Sequence, residues 1–202
     1  MGYAQLKNHE LDALREVSNI GMEQAATALS QLVGQTINMS VPRILLTDIC
    51  QVLDVLGDAD RMVVGIYLQI LGNTRGNILI IFPRENAIKI LEKILPKQKV
   101  KGAPLTDLEI SALKEVGNIL ASAYLNALSR ILKMSLVPSV PDFSFDMVGA
   151  VVDYVLISLA EAGDTSLMIE TEFTGDGDPV SGHFFLLPDP SCLDVILKAV
   201  GV

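Results

Sequence analysis

Residues that bind metal ions or carry thiol chemistry are scarce in this chain of 202 residues, which has two cysteines and two histidines. Cys50 and Cys192 are far apart and belong to no CxxC pair or Cys/His cluster, which disfavours a zinc or redox centre. We expect both to be small buried side chains in a reducing compartment. A P-loop, a Gly-rich dinucleotide motif, an HExxH motif and a Ser-His-Asp set are also absent.

Positive charge and long apolar segments are equally limited. The 15 Lys and Arg are outnumbered by 24 Asp and Glu, and the net charge of −9 disfavours binding to nucleic acid or to an anionic membrane surface. Residues 1–10 have no apolar signal core, and the apolar run 147–160 is interrupted by Asp153 and is too short to span a bilayer. These features predict a cytoplasmic protein with no nucleic-acid or membrane partner.

Half of the residues are apolar, which is enough for one large domain or two small ones. Their periodicity predicts two long helices, residues 8–33 and 106–133, with Asn8 as the N-cap of the first. Thr106 and Glu109 have the spacing of a capping box for the second. The inward residues of the first helix are small or aliphatic: Leu11, Leu14, Ser18, Gly21, Ala25, Ala28, Leu29 and Leu32.

Strands and shorter helices are predicted after each long helix, in a similar order. Runs rich in β-branched residues flank short loops and predict hairpins, and a proline precedes the helix after each hairpin. The predicted strands are 36–41, 43–47, 62–71, 77–82, 136–137, 166–173 and 181–187, and the shorter helices are 84–95, 146–160 and 191–200. The helix 146–160 has no predicted counterpart of similar length in the first half.

The two halves repeat each other residue by residue. Ala13, Leu14, Glu16, Val17, Asn19 and Ile20 match Ala112, Leu113, Glu115, Val116, Asn118 and Ile119; Arg15 matches Lys114; and the segments 28–30 and 40–42 match 127–129 and 139–141. The period is far longer than that of a solenoid unit, so it indicates a duplicated half-domain.

We therefore predict an α+β fold in which residues 1–202 form a single domain. It consists of two α-β-β-β-α repeats, residues 8–95 and 106–201, related by a pseudo-two-fold axis. The repeats are expected to share one continuous, mainly antiparallel sheet, with the two long helices packed together.

Polar residues on the solvent-facing side of both long helices share one spacing. In each copy a carboxylate lies three residues before a carboxamide, and 22 residues separate that Asn from a Pro. A single copy would be explained by solvation, but two copies in register with the apolar face indicate a site. The copies are Asp12, Glu16, Asn19 and Pro42, and Ser111, Glu115, Asn118 and Pro141.

The chemistry available to this pattern is limited. An Asn carboxamide both donates and accepts hydrogen bonds, so on a rigid helix it can aim a water at an electrophile. The Glu one turn away can serve as a base or bind a cationic group on a partner. With so few functional groups, the substrate has to bring its own metal or activation.

The doubled pattern D/S-x3-E-x2-N-x22-P, in a chain of about 200 residues, resembles the CheC/CheX/FliY family of chemotaxis phosphatases. The resemblance covers nearly the whole chain, and it extends to the residues Asn19 to Gly21 and Ala25 to Ala28. It implies hydrolysis of the aspartyl phosphate on the response regulator CheY. By that resemblance the catalytic residues are Glu115, Asn118, Glu16 and Asn19.

In that family the Asn enters the regulator's active site and orients a water for in-line attack, while the Glu binds the regulator's active-site Lys. The Mg²⁺ belongs to the regulator, so no cofactor or metal of the chain's own is expected. This agrees with phosphoryl transfer depending mainly on positioning and charge stabilisation. Asp12 and Ser111, the first members of the two copies, are expected to support partner binding.

Family members also bind CheD, a receptor-modifying deamidase that can raise phosphatase activity. The resemblance associates that contact with the predicted helix 146–160, beginning at Asp146. An amphipathic core helix explains the same residues equally well, and both interpretations stay open.

The first copy departs from the family's usual pattern, which has small residues after the Asn. Glu23 lies four residues after Asn19, on the same helix face, where it would repel an acidic pocket and a phosphoryl group. The second copy has Ser122 at the equivalent place, so we predict that Glu115 and Asn118 form the better site. The competing hypothesis is a non-enzymatic adaptor: a CheD-binding regulator or a relative of the flagellar switch proteins.

Overall fold

The computed structural model describes residues 7–40, 43–47, 56–95, 104–159, 166–175 and 180–199. In these ranges the chain forms five helices and eight strands. The helices are α1 (Asn8–Val33), α2 (Arg84–Ile94), α3 (Asp107–Leu132), α4 (Val148–Leu159) and α5 (Pro190–Ala199). The strands are β1 (Ile37–Met39), β2 (Arg43–Thr47), β3 (Met62–Gly72), β4 (Gly76–Pro83), β5 (Leu136–Pro138), β6 (Asp142–Met147), β7 (Ser166–Gly175) and β8 (Ser181–Pro188).

The eight strands form one antiparallel sheet with the order β1-β7-β8-β4-β3-β5. Strand β2 also pairs with β7, and β6 also pairs with β3. The two strands after α1 therefore pair with the hairpin of the second half, and the two strands after α3 pair with the hairpin of the first half. Each half thus forms a hairpin of its own, and its two other strands complete the sheet beside the hairpin of the other half.

The main core lies on one face of this sheet, beneath the helices. It contains buried side chains of α1, α2, α3 and α5, together with the inward residues of the central strands, such as Ile78, Ile80 and Phe184. A smaller apolar cluster lies on the opposite face, where Val148, Val151 and Val152 of α4 take part. The continuous antiparallel sheet and the directly packed α1 and α3 confirm the predicted fold class.

The contact between α1 and α3 depends on one large and one small residue. Tyr124 of α3 is fully buried, and its ring lies against Gly21 of α1, where an added Cβ would come within 2.5 Å of the ring carbons Cδ2 and Cε2. Phe184 of β8 contacts the same ring, with centroids 5.0 Å apart. Glycine at position 21 thus allows the two helices to approach across a buried tyrosine.

Burial also governs the tyrosine hydroxyl. Desolvation raises the pKa of Tyr124 above its ordinary value, although the neighbouring Ser18 acts in the opposite direction. The hydroxyl oxygen has no hydrogen-bond partner of normal geometry among the described residues. The ring therefore supplies the packing energy at this contact, and the hydroxyl adds little.

Two predictions about helix starts were wrong. Asp146 and Met147 belong to β6, where they pair with Val63 and Met62, so α4 begins at Val148 and not at Asp146. The apolar run from Met147 concealed this boundary, because the strand ends where its pairing with β3 ends.

The N-cap of α1 is Lys7, and Asn8 is already helical. The backbone N–H of Lys7 donates to the Glu10 carboxylate at 2.6 Å. The capping box of α3 is confirmed, since the Thr106 N–H donates to Glu109 at 2.7 Å.

Residues 48–55 and 160–165 lie outside the described ranges, so the predicted lack of a first-half counterpart to α4 is not tested. None of the described helices is both long and apolar enough to cross a membrane.

Candidate functional site

The second copy of the polar pattern opens onto a shallow surface depression. One wall is the exposed face of α3, and the other is the connection between β5 and β6. The lining residues are Ser111, Lys114, Glu115, Asn118, Pro138, Ser139, Val140 and Pro141. The structure therefore brings Ser111, Glu115 and Asn118 together at one place, as their i, i+4 and i+7 spacing on a helix requires.

The side chains of Glu115 and Asn118 are free for contact with a partner. Glu115 is exposed and Asn118 is half-buried. Within the part of the chain that the structure describes, neither forms a side-chain hydrogen bond or ion pair.

The backbone beside Asn118 is held close to the sheet by Gly117. A Cβ at position 117 would lie 2.5 Å from Cγ2 of Ile66 in β3, so only glycine lets α3 approach this strand without displacement. The preceding residue, Val116, is buried in the core. The carboxamide of Asn118 thus projects from a rigid segment, which lowers the entropy cost of aiming it.

The loop opposite Asn118 is a β-bulge. Pro138 pairs with Ile70 and Asp142 pairs with Tyr67, so three residues of the loop face two residues of β3. The extra residue makes the strand bend outwards, and Val140 in the bulge is 81% exposed. An apolar side chain therefore stands at the rim of the depression, across from the polar face of α3.

Ser139 fastens this bulge to the sheet. Its hydroxyl accepts a hydrogen bond from the Gln69 N–H at 2.9 Å, and its own N–H donates to the Gln69 carbonyl at 2.8 Å. Ser40 makes the same two contacts with Glu172, at 3.0 and 2.8 Å. The repetition of this serine in the sequence thus has a structural cause that sequence reasoning missed.

We expect Ser139→Ala and Ser40→Ala to lower the free energy of unfolding by similar amounts, about 1 kcal/mol each. Each substitution removes one hydrogen bond to a backbone N–H at an edge of the sheet. Urea unfolding followed by circular dichroism measures both values. A loss above about 2 kcal/mol for one variant alone would show that the two serines are not equivalent.

The first copy is arranged differently. Glu16 is exposed and Asn19 is half-buried on α1, as expected from their spacing. The depression next to α1 and β1 lies further along the helix and is lined by nine residues: Glu23, Ala26, Thr27, Ser30, Gln31, Thr36, Ile37, Asn38 and Met39. It contains neither Glu16 nor Asn19, and the Pro42 of this copy lies outside the described residues.

Asp12 and Ser111 occupy equivalent places but have different neighbours. Asp12 forms an ion pair with Arg15 one turn later, with 3.2 Å between Oδ1 and Nη1. Ser111 has no charge, and Lys114, which corresponds to Arg15, forms no ion pair with any described residue. Lys114 lines the depression and was noticed in the sequence only as a match to Arg15.

Asp146 lies apart from both copies, at the end of β6. Its carboxylate is exposed and accepts a hydrogen bond from the backbone N–H of Met147 at 2.8 Å. Met147 is also exposed, at 47%.

Other ionisable groups serve the structure. Glu170 is fully buried in β7, where it lies 3.0 Å from Nδ1 of His183 and 3.4 Å from Nε of Arg43. Burial raises the pKa of the Cys192 thiol to about 11, so this cysteine is unreactive at neutral pH, while Cys50 lies outside the described ranges. Among the described residues, no group of three His, Cys, Asp or Glu side chains is placed to hold a metal ion.

Comparison with known proteins gives the same family as the repeated pattern. The model of the CheC-like family matches residues 10–46 and 108–145, which contain the long helix and following strands of each half. The CheY-P phosphatase CheC of Bacillus subtilis (strain 168) is 34% identical over 200 residues, covering 97% of this chain and 96% of that protein.

Solved structures share the fold at lower identity. Thermotoga maritima FliY superposes with a TM-score of 0.75 at 19% identity, covering 96% of this chain and 97% of that one. The FliM middle domain from H. pylori superposes with a TM-score of 0.63 at 12% identity, covering 96% and 99%. Together with the full-length relative, the matches confirm the resemblance seen in the sequence: the chain belongs to the CheC-like family.

Proposed function

We propose that this chain is a chemotaxis phosphatase that hydrolyses the aspartyl phosphate of a CheY-type response regulator in the cytoplasm, with Asn118 and Glu115 as its catalytic residues. The observation that carries the proposal is the depression that both side chains line, with no hydrogen-bond or ion-pair partner for either among the described residues. The relative from Bacillus subtilis, named as a CheY-P phosphatase, supports the same activity over the full chain.

In this proposal Asn118 enters the regulator's active site and holds the attacking water with its carboxamide. The water oxygen bonds to phosphorus while the bond from phosphorus to the aspartate oxygen breaks. The aspartate leaves as a carboxylate, and the water proton passes to the released phosphate. The Mg²⁺ that neutralises the phosphoryl oxygens belongs to the regulator and arrives with the substrate.

Glu115 has a docking role in this scheme. Its exposed carboxylate, one turn before Asn118, would pair with a lysine in the regulator's active site. Such a pair fixes the register of the two proteins, so that the carboxamide holds the water on the side of phosphorus opposite the leaving group.

We further propose that Glu16 and Asn19 form a weaker second site. The depression that the structure describes beside α1 is lined by Glu23 and by neither of these two residues. A regulator docking there would bring its acidic pocket close to the Glu23 carboxylate, and like charges would weaken binding.

A second partner, CheD, is proposed for the surface at the end of β6. Exposed Asp146 and exposed Met147 provide a charged and an apolar contact there, next to the start of α4. This surface is separate from the residues that line the Asn118 depression, so CheD and the regulator are expected to bind together.

The test is loss of the phosphoryl group from a CheY-type regulator with Mg²⁺ present, with and without CheD. We expect the wild-type chain to accelerate the loss, and the Asn19→Ala/Asn118→Ala double variant to leave the regulator at its own rate. Equal acceleration by wild type and double variant would show that Asn19 and Asn118 take no part in catalysis. No acceleration by wild type, together with binding of CheD, would establish the non-enzymatic adaptor that the FliM-like fold also permits.

A further inference from the structure

We propose that Lys114 recognises the anionic, phosphoryl-bearing pocket of the partner, and that the loss of an acid at position 111 leaves its ammonium group free to do so. The inference rests on the proposed phosphatase function, because it assigns a role within the same depression. It concerns a charge difference between the two copies that their shared Glu and Asn do not reveal.

Lys114 lies beside the proposed catalytic residue Asn118. Lys114 and Asn118 are four residues apart on α3 and line the same depression. The lysine is half-buried and forms no ion pair with a described residue, so its ammonium group is available to a partner. A phosphoryl group close enough to meet the Asn118 carboxamide would therefore be within reach of the ammonium group.

The equivalent positive charge on α1, that of Arg15, has an acidic neighbour. Arg15 pairs with Asp12 at 3.2 Å, and the two side chains are 46% and 72% exposed. At the equivalent place in α3, Ser111 cannot neutralise Lys114, and no other described residue forms an ion pair with it. The positive charge in the second copy is thus uncompensated, whereas the one in the first copy is partly screened by its neighbour.

The charge of Lys114 complements that of an acidic, phosphoryl-bearing partner. The protein is acidic overall, with a net charge of −9, and it would repel an acidic regulator at long range. A local cation beside Asn118 weakens that repulsion where docking occurs, and the neighbouring Glu115 carboxylate is neutralised by the regulator's lysine in the proposed complex. Lysine suits this role because its ammonium is a compact point charge with three rotatable donors.

The experiment measures kcat/KM for a phosphorylated CheY-type regulator at low and high salt. We expect Lys114→Gln to lower kcat/KM about fivefold at low salt, mainly through KM, and to differ little from wild type at about 1 M salt, where charges are screened beyond roughly 3 Å. Lys114→Arg is expected to restore most of the activity, since it restores the charge.

Two matched controls isolate the charge. Arg15→Gln removes the equivalent charge from α1 and is expected to change kcat/KM less than twofold. Ser111→Asp reintroduces the acid beside Lys114 and is expected to lower kcat/KM about as much as Lys114→Gln does, at low salt only. Thermal unfolding of each variant shows whether the fold is retained.

The outcomes separate this inference from the function on which it rests. An inactive wild type would remove the proposed function itself. An active wild type with Lys114→Gln unchanged at low salt would overturn the role of Lys114 alone. A loss that is independent of salt and is not restored by arginine would also overturn it, because it would indicate packing and not charge.

Discussion

Replacing Asn118 with alanine is expected to slow the dephosphorylation of a CheY-type regulator by about 100-fold, whereas Asn19→Ala is expected to slow it less than threefold. The large effect follows because positioning the water is the main contribution that this site makes to the reaction. Asn118 lies on a segment held against Ile66 and faces the Ser139 bulge. Glu23 lies one turn beyond Asn19 on α1, where its charge would repel the partner's acidic pocket. Single-turnover decay of phosphorylated regulator, with the phosphatase in excess, measures both values.

The matched control for this experiment is Asn126→Ala. Asn126 is exposed on the same helix, two turns beyond Asn118, and takes no part in lining the depression. Its removal should leave the decay unchanged. If Asn19→Ala caused the greater loss, the ranking of the two copies would be reversed, and Glu23 would have to be tolerated by the partner.

Replacing Tyr124 with alanine is expected to lower the free energy of unfolding by about 4 kcal/mol, because the cavity would lie at the fully buried contact between α1 and α3. Gly21→Ala is expected to cost about 2 kcal/mol, since the new methyl group would collide with the same ring. Tyr124→Phe should stay within about 1 kcal/mol of wild type, because the hydroxyl has no hydrogen-bond partner of normal geometry among the described residues. Urea unfolding at neutral pH measures all three variants.

The Gly21→Ala/Tyr124→Ala double variant tests whether the two losses arise from one contact. With the ring removed, the alanine at position 21 has room and gains about 1 kcal/mol of helix propensity over glycine, so its cost should disappear. Gly149→Ala is the control for a new methyl group in an uncrowded place, as its nearest neighbour would be 3.7 Å away. Additive losses at Gly21 and Tyr124 would contradict the contact described here.

Much of the fold could be predicted because it depends on local patterns. Both long helices, the two hairpins and the capping box at Thr106 follow from periodicity and turn residues. The start of α4 could not be predicted in this way, because Asp146 is extended only through its pairing with Val63 in β3. The exchange of strands between the halves was also beyond local reasoning, since periodicity tells which face is buried and not which strand lies beside it.

The candidate site likewise has features that local spacing predicts and features that depend on strand pairing. Helical spacing alone places Ser111, Glu115 and Asn118 on one face. Their juxtaposition with the bulge at Ser139 required the pairing register of β3 on either side of it. The repeated serines were visible in the sequence, but their hydrogen bonds join residues 70 or more positions apart. The role proposed for Lys114 depends on Ser111 being uncharged, and the sequence pattern does not draw attention to a missing charge.

The exchanged strands have a consequence for synthesis on the ribosome. Strands β1 and β2 leave the exit tunnel more than 100 residues ahead of β7, the strand with which both pair. Until that hairpin emerges, β1 and β2 have no strand to pair with, so the first half cannot complete its part of the sheet before the second half is synthesised. The same geometry bears on descent by duplication. An ancestral half-length chain would have had to lend these strands to a second copy of itself, and so would have been an obligate dimer.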